Sequence, residues 1–252
     1  PTFTSASSFT VAENQTTGPT IAASDGDGDT LTYSISGGTD ASSFEINSSS
    51  GAITFKSAPD YETKSSYQLS VRASDGTNIA AQDITVNIGN LNEHAPSLSL
   101  NSPVSVNEGS TAVTTATATD ADGDETITFS IFDTGSSCTD NDLFSIGEST
   151  GVITFKSAPD YENPADSDTD NEYAVCIKAS DNGGAAGTYF EERSRGGAAT
   201  LIVNVQNLND ASPVFTSNST FNVDENQTTI GTVTATDADS TIITYSLEDG
   251  SS

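Results

Sequence analysis

Apolar and polar side chains alternate over short runs along most of the chain. Tyr67, Leu69, Val71 and Ala73 are separated by Gln68, Ser70 and Arg72. Ile84, Val86 and Ile88 are separated by Thr85 and Asn87, and Leu31, Tyr33 and Ile35 by Thr32 and Ser34. A period of two sends successive side chains to opposite faces of a strand, so one face is buried and the other wet. Runs this short, punctuated by Gly, Ser, Asp and Pro, predict antiparallel sandwiches. Helical spacing of apolar residues is absent, so the chain is predicted to be all-β.

The runs recur in register. ITFKSAPDYE occupies residues 53–62 and again 153–162. VAENQTT at 11–17 returns as VDENQTT at 223–229, and NLNEHAP from Asn90 as NLNDASP from Asn207. SDGDGDTLTYSI from Ser24 aligns with TDADGDETITFSI from Thr119 and TDADSTIITYSL from Thr236. The glutamates Glu13, Glu108 and Glu225 are spaced by 95 and then 117 residues. Internal repetition of this kind marks tandem domains. The expected boundaries are 1–95 for repeat 1, 96–212 for repeat 2, and 213–252 for the truncated N-terminal part of repeat 3, with about seven strands in a full repeat. The 22 extra residues of repeat 2 divide into insertions of 5, 6 and 11, each between strand-like runs. Loops tolerate such additions.

Charge narrows the functional classes. The chain has 36 acidic and 7 basic residues, a formal net charge of -29. Such a surface repels phosphate backbones and anionic lipid headgroups, which argues against nucleic acid and bilayer partners. Strongly acidic disordered chains are poor in aromatic and β-branched residues. Here 7 Tyr and 11 Phe are spread through sequence rich in Thr, Val and Ile, so the acids belong on folded domains, as counter-ions for metal or as a high-salt surface. No apolar run reaches the length of a membrane span, so direct membrane insertion of this segment is not expected. The chain opens on Pro1 without a basic-then-apolar leader and stops within a pattern at Ser252, which reads as an excerpt of a longer protein.

The acids fall at four addresses in each repeat. A Glu follows the opening strand (Glu13, Glu108, Glu225). An Asp-x-Asp pair comes next (Asp25/Asp27, Asp120/Asp122, Asp237/Asp239). PDYE supplies Asp60/Glu62 and Asp160/Glu162, and a lone Asp follows the long strand (Asp75, Asp181). The polar connectors NLNE and NLND then lead into the next repeat. Calcium takes six to eight oxygens from carboxylates, amides and backbone carbonyls. Carboxylates gathered without basic partners repel one another unless a cation joins them. Recurrence of the whole set in register points to calcium rather than to solvated loop acids.

Glu13, PDYE, NLNEHAP, TDADGD and the ASD at 179–181 together resemble the calcium signature of cadherin extracellular repeats, over the whole chain. The resemblance implies tandem Ig-like Greek-key β-sandwiches with up to three Ca²⁺ ions per inter-repeat junction. For the junction between repeats 1 and 2 it implies the ligands Glu13, Asp60 and Glu62, then Asn90, Leu91 (carbonyl), Asn92, Glu93 and His94 (carbonyl), then Asp120, Asp122 and Asp181. For repeats 2 and 3 it implies Glu108, Asp160, Glu162, Asn207, Leu208, Asn209, Asp210, Ala211, Asp237 and Asp239. Asp25, Asp27 and Asp75 would serve a junction before residue 1, and Glu225 one after residue 252. The family's first linker Asp is Asn here (Asn90, Asn207) and its second is Glu93 in the first junction. These changes lower the charge and suit calcium at millimolar levels, the range of extracellular modules.

His94 is the only histidine, and its alignment with Ala211 implies a role for its backbone alone. Paired carboxylates also serve glycosidases, but their repetition fits a structural metal, so no catalytic residue and no enzyme activity are expected. Cys138 lies in the first insertion, and Cys176 aligns with Ser70 at an outward position. In the cadherin sandwich their strands are neighbours, which implies a disulfide across them. Asn14, Asn47, Asn218 and Asn226 open glycosylation triplets of the kind that arise by chance in so Ser/Thr-rich a chain. Tyr189, Phe190 and Arg193, in the third insertion, form either a contact site or a longer hairpin. The resemblance implies an extracellular or cell-surface segment whose partners are neighbouring repeats, other copies, or surface proteins and glycans. Its function would be calcium-rigidified adhesion or a rigid spacer. The alternatives are a carbohydrate-binding repeat of a secreted polysaccharide-active protein, or a structural subunit of an extracellular filament or sheath.

Overall fold

The structure, a computed structural model, describes residues 1–123, 126–132, 138–181 and 198–247. Residues 1–94 group with 120–123 as one compact unit, and the other described residues form a second. The five-residue neighbourhood preceding Cys138 and the Tyr189–Phe190–Arg193 segment lie outside the described residues.

In unit 1 the long alternating runs form the hairpin Ser66–Ser74 and Ile79–Gly89, paired antiparallel with Leu69 opposite Ile84 and Tyr67 opposite Val86. Asp75 closes the turn by accepting the amides of Thr77 (2.7 Å) and Asn78 (2.6 Å), an Asx turn of the kind that short polar side chains favour. Thr32–Gly37 flanks one side of the hairpin, and Ser8–Ala12 flanks the other, giving a four-stranded sheet. Ser8–Ala12 runs parallel to Ile79–Gly89, with Ser8 opposite Thr85 and Ala12 opposite Gly89. The second sheet is Thr17–Thr20, Ala52–Phe55 and Phe44–Ile46. A short ladder joins Thr2–Phe3 to Ala23–Ser24.

The inward residues of both sheets, among them Ile21, Phe44, Ile53, Phe55, Leu69, Val71, Ile84 and Val86, form one buried cluster. At one end the Phe44, Phe55 and Tyr67 rings meet at 4.5–5.6 Å between centroids, the range in which tilted and edge contacts are favourable. The three-stranded sheet is extended where Ile21, just past Thr17–Thr20, donates to the carbonyl of Gly51, just before Ala52–Phe55, at 3.0 Å. Gly51 has φ +71°, and a Cβ there would lie 2.3 Å from the Ile21 oxygen. Only glycine meets both requirements at low cost.

Unit 2 repeats this plan. Val104–Asn107, Ala198–Gln206, Glu172–Ser180 and Thr128–Ile131 make the four-stranded sheet, and Ala112–Thr115, Val152–Phe155 and Phe144–Ile146 the three-stranded one. Gly151 stands against Ala116 as Gly51 does against Ile21, and the Phe144, Phe155 and Tyr173 rings recreate the aromatic cluster at 4.4–6.2 Å. The protein is all-β, with Ig-like sandwiches whose sequence alternation matches the burial of each long strand. Past residue 212 the described residues form one two-residue ladder, Val214–Phe215 with Ala235–Thr236. There Val214, Phe215, Ile230, Ile242 and Leu247 are exposed.

Cys138 and Cys176 are joined in a disulfide with their Cα atoms 5.5 Å apart. Cys176 takes the outward position expected of it, yet it is not exposed. Val175 and Ile177 point inward, so the parity holds. The Cys138 segment covers that spot on the outer face, and both sulfurs lie within 3.9 Å of the Thr200 hydroxyl on the adjoining strand.

Candidate metal-binding sites

The glutamate after the opening strand is buried in both units, Glu13 at 2% exposure and Glu108 at 5%. Its carboxylate is held by backbone. Glu13 Oε2 accepts the Tyr61 amide and Oε1 the Leu91 amide, each at 2.7 Å. Glu108 accepts Tyr161 (2.8 Å) and Leu208 (2.6 Å) in the same way. One carboxylate thereby pins both PDYE and the connector. The residue after each glutamate secures PDYE again, with Asn14 donating to the Pro59 carbonyl and Gly109 to Pro159, both at 2.9 Å.

The Asp-x-Asp pairs are built as Asx turns. Asp120 Oδ1 accepts the Asp122 amide at 2.9 Å, Asp237 Oδ1 that of Asp239 at 3.0 Å, and Asp25 Oδ1 that of Asp27 at 2.9 Å. Within unit 1 the turn faces the connector. Asp122, 3% exposed, accepts the amides of Glu93 (3.1 Å) and His94 (2.9 Å) through Oδ2, and the Asn90 side chain donates to the Asp122 carbonyl at 2.8 Å. Within unit 2 Asp239 Oδ2 likewise accepts the amides of Asp210 and Ala211. In the two pairs that face a connector, one carboxylate oxygen, Asp120 Oδ2 or Asp239 Oδ1, is buried with no hydrogen-bond partner. An anionic oxygen left in this state is costly unless a cation meets it.

Three acidic groups from these addresses converge, with one ligand atom from each member within 4.8 Å of the others: Glu13/Asp60/Glu62, Glu62/His94/Asp122 and Glu108/Glu162/Asp210. Glu62 belongs to two of them, so the donors of unit 1 span two adjacent positions. Glu108, Asp160, Glu162 and Asp210 line a cavity of about 440 Å³ in unit 2. All the donors are oxygens except His94, and the set fits a hard divalent cation of the calcium type.

The charges show what crowding costs. Desolvation and then the Glu13, Asp122 and Asp60 charges hold Glu62 above the usual carboxylate range. Desolvation, with Glu108, Asp239 and Asp160, does the same to Asp210. Glu162 is pushed from 4.5 to about 7, first by desolvation and then by contact with Asp239. Burial also pushes Asp122 up, but the His94 ring and the His94 and Glu93 amides outweigh it and leave Asp122 below its ordinary value. A carboxyl whose folded value is raised binds more protons folded than unfolded, so stability falls as pH rises between the two values. Without divalent ions, the chain is therefore expected to lose stability as pH rises from 4.5 towards 7. With saturating calcium the loss should vanish, because the cation replaces the proton. Urea melts across that range, with and without chelator, check it; matching slopes would contradict it.

The His94 side chain departs from expectation. Its Nδ1 lies 2.7 Å from Asp122 Oδ1, and Asp122 raises the imidazole's affinity for a proton. Alignment with Ala211 concealed this, because only the backbone role is common to both. Glu93 reaches the Asn14 side chain, and Asn207 donates to Glu162 at 3.0 Å. Asp25, Asp27 and Asp75 lie apart from these groups. Asp181 follows the strand Glu172–Ser180, and Glu225 is exposed in irregular backbone. A fourth group was outside the expected set: Asp166, Asp168 and Asp170 in the second insertion, again within 4.8 Å. The alternation D-S-D-T-D was its visible signal.

The family model for the cadherin domain matches residues 7–89 and 102–206. The mouse (Mus musculus) cadherin EGF LAG seven-pass G-type receptor 2 is 32% identical over 85% of this chain and 7% of that protein. Human (Homo sapiens) protocadherin Fat 4 is 31% identical over 74% of the chain and 4% of its own length. The chain thus spans a small fraction of these relatives. Among solved structures, mouse cadherin-23 EC22-24 superposes with a TM-score of 0.64 at 28% identity, covering 95% of this chain and 78% of that one.

Proposed function

We propose, for a chain that belongs to the cadherin domain family, that its acidic clusters hold calcium and that its repeats form a calcium-rigidified extracellular segment in cell-surface adhesion. The observation that carries this reading is the pair of buried aspartate oxygens, Asp120 Oδ2 and Asp239 Oδ1, left without hydrogen-bond partners beside converging carboxylates. The repeats run 1–95, 96–212 and 213–252. Glu13, Asp60, Glu62, Asp120 and Asp122 would hold ions with the connector 90–94, and Glu108, Asp160, Glu162, Asp237 and Asp239 with the connector 207–211. Bound calcium supplies positive charge that lets these carboxylates stay ionised at close range. The chain's own residues do the rest: Glu13 and Glu108 fix the connector to PDYE, while Asp122 and Asp239 fix it to the Asp-x-Asp turn. A connector held from both sides loses its freedom to bend.

An extracellular setting agrees with the disulfide, since such bonds persist in oxidising compartments. The relatives reported above are cadherins and protocadherins, which favours adhesion over the carbohydrate-binding and filament alternatives. The test is Asp122→Ala. Asp122 sits in a turn outside the apolar core, so strand content by circular dichroism should match the parent. Calcium affinity, by titration calorimetry, should fall by about tenfold or more, the equivalent of ~1.4 kcal/mol. Unchanged affinity would remove Asp122, and with it the connector site, from the reading.

A further inference from the structure

In repeat 1 the loop between PDYE and the long strand carries a cation. Lys64 pairs with Asp40 and sits 4.8 Å from the centre of the Tyr67 ring. Asp40 precedes the short helix Ala41–Ser43 and accepts the Gln68 amide at 2.9 Å. Asp140 is its counterpart in repeat 2. It precedes the helix Asn141–Leu143 and accepts the Ala174 amide at 2.8 Å. The two loops rejoin the fold at the same place, since Ile88 donates to the Ser65 carbonyl and Val205 to that of Asn171.

Between these fixed points repeat 2 has lost its lysine. Residues 162–172 read ENPADSDTDNE, with no basic side chain. Asp140 is 3% exposed and receives the Ser167 amide at 3.0 Å in place of an ammonium. Three further carboxylates have been added where a positive charge stood.

One of the three is itself buried. Asp166 is 5% exposed. Its Oδ2 accepts the Asp170 amide at 2.8 Å and the Asn171 amide at 3.2 Å. Its Oδ1 is buried and has no hydrogen-bond partner, and the amide oxygen of Asn171 is in the same condition. A carboxylate folded into a loop with one oxygen unmet, within 4.8 Å of two other carboxylates, needs a positive charge to remain ionised there.

We infer that this insertion is a separate calcium site, with Asp166, Asp168 and Asp170 as carboxylate ligands in place of the lysine of repeat 1. Oxygen donors alone select a hard cation, and the irregular loop suits calcium better than the strict octahedron of magnesium. Acids at alternate positions followed by a residue of positive φ, Asn171 at 66°, match the first half of a calcium-binding loop whose sixth residue makes a sharp turn. The seventh residue onward enters the strand Glu172–Ser180, so no bidentate glutamate completes the shell. The expected dissociation constant is therefore about 10⁻⁴–10⁻³ M.

The test uses the full chain freed of metal by chelation and titrated with calcium chloride. Asp166 is left intact because its Oδ2 holds the loop backbone. The variant Asp168→Asn with Asp170→Asn should bind one ion fewer than the parent by calorimetry. Asp122→Ala should keep that ion, so failure here and failure of the connector sites are seen separately. A second measurement needs no variant: the backbone amide resonances of Thr169 and Asn171 in the parent should shift and saturate over the same calcium range. Equal stoichiometry in parent and double variant, or amide resonances that stay fixed through saturation, would overturn the assignment.

Discussion

Calcium at 100 times its dissociation constant is expected to raise the melting temperature of this chain by roughly 11–22 °C over the chelated protein. A ligand that binds only the folded state at that excess adds about 2.7 kcal/mol for one site. For a domain of about 100 residues each kcal/mol moves the midpoint by roughly 4–8 °C. The unfolded chain keeps its acids far apart and cannot assemble them around one ion. In the folded chain Glu13, Asp60 and Glu62 lie within a few ångströms of one another, as do Glu108, Glu162 and Asp210. The cation removes repulsion that the fold itself creates, and this is why the effect should be large. Scanning calorimetry in calcium, in magnesium and in chelator measures it. Superimposed calcium and chelator scans would rule out the connector sites as the reading has them.

Glu13→Ala should destabilise unit 1 by about 2–6 kcal/mol even in chelator, and should also weaken calcium binding. Each carboxylate oxygen of Glu13 accepts one backbone amide, Tyr61 or Leu91, at 2.7 Å. Truncation leaves both donors without their acceptor, at roughly 1–3 kcal/mol apiece. Glu13→Gln is the informative companion. It keeps the shape but sets an NH₂ group against one of the two amide donors and removes the charge. It should therefore recover only part of the stability and little of the calcium response. Urea unfolding at fixed pH, with and without calcium, separates the two losses. A Glu13→Ala protein as stable as its parent in chelator would show that the two amides are satisfied elsewhere.

Much of this was legible in the sequence, for identifiable reasons. Strand alternation at Tyr67–Ala73 translates directly into burial because one face of each sheet is packed. Register between repeats exposed the recurrent acids because the motifs that carry them recur, ITFKSAPDYE without change, while the insertions fall in loops between them. The places where reading from sequence fell short are those where that register carries no information. His94 aligns with alanine, so only its backbone could be inferred, yet its ring meets Asp122. Cys176 follows strand parity correctly, but parity is silent on what a distant segment lays over the outer face. Asp166, Asp168 and Asp170 lie in an insertion with no counterpart in repeat 1, so the comparison that revealed the other acids passed over them. Likewise nothing in the spacing announces that Glu13 spends both oxygens on backbone, because the Leu91 amide it holds is 78 residues away.

The parallel pairing of Ser8–Ala12 with Ile79–Gly89 bears on how a repeat answers a tug along the chain. Ser8–Ala12 is drawn towards its own start and Ile79–Gly89 towards its own end. Because the two lie side by side and point the same way, those pulls slide one past the other along their length. The five residue pairs from Ser8–Thr85 to Ala12–Gly89 then share the load together, where an antiparallel pair gripped at one end would open a rung at a time. Val104–Asn107 and Ala198–Gln206 are arranged identically. Each repeat thus presents the shear-loaded edge, the more resistant of the two arrangements, to any force that arrives through its neighbours.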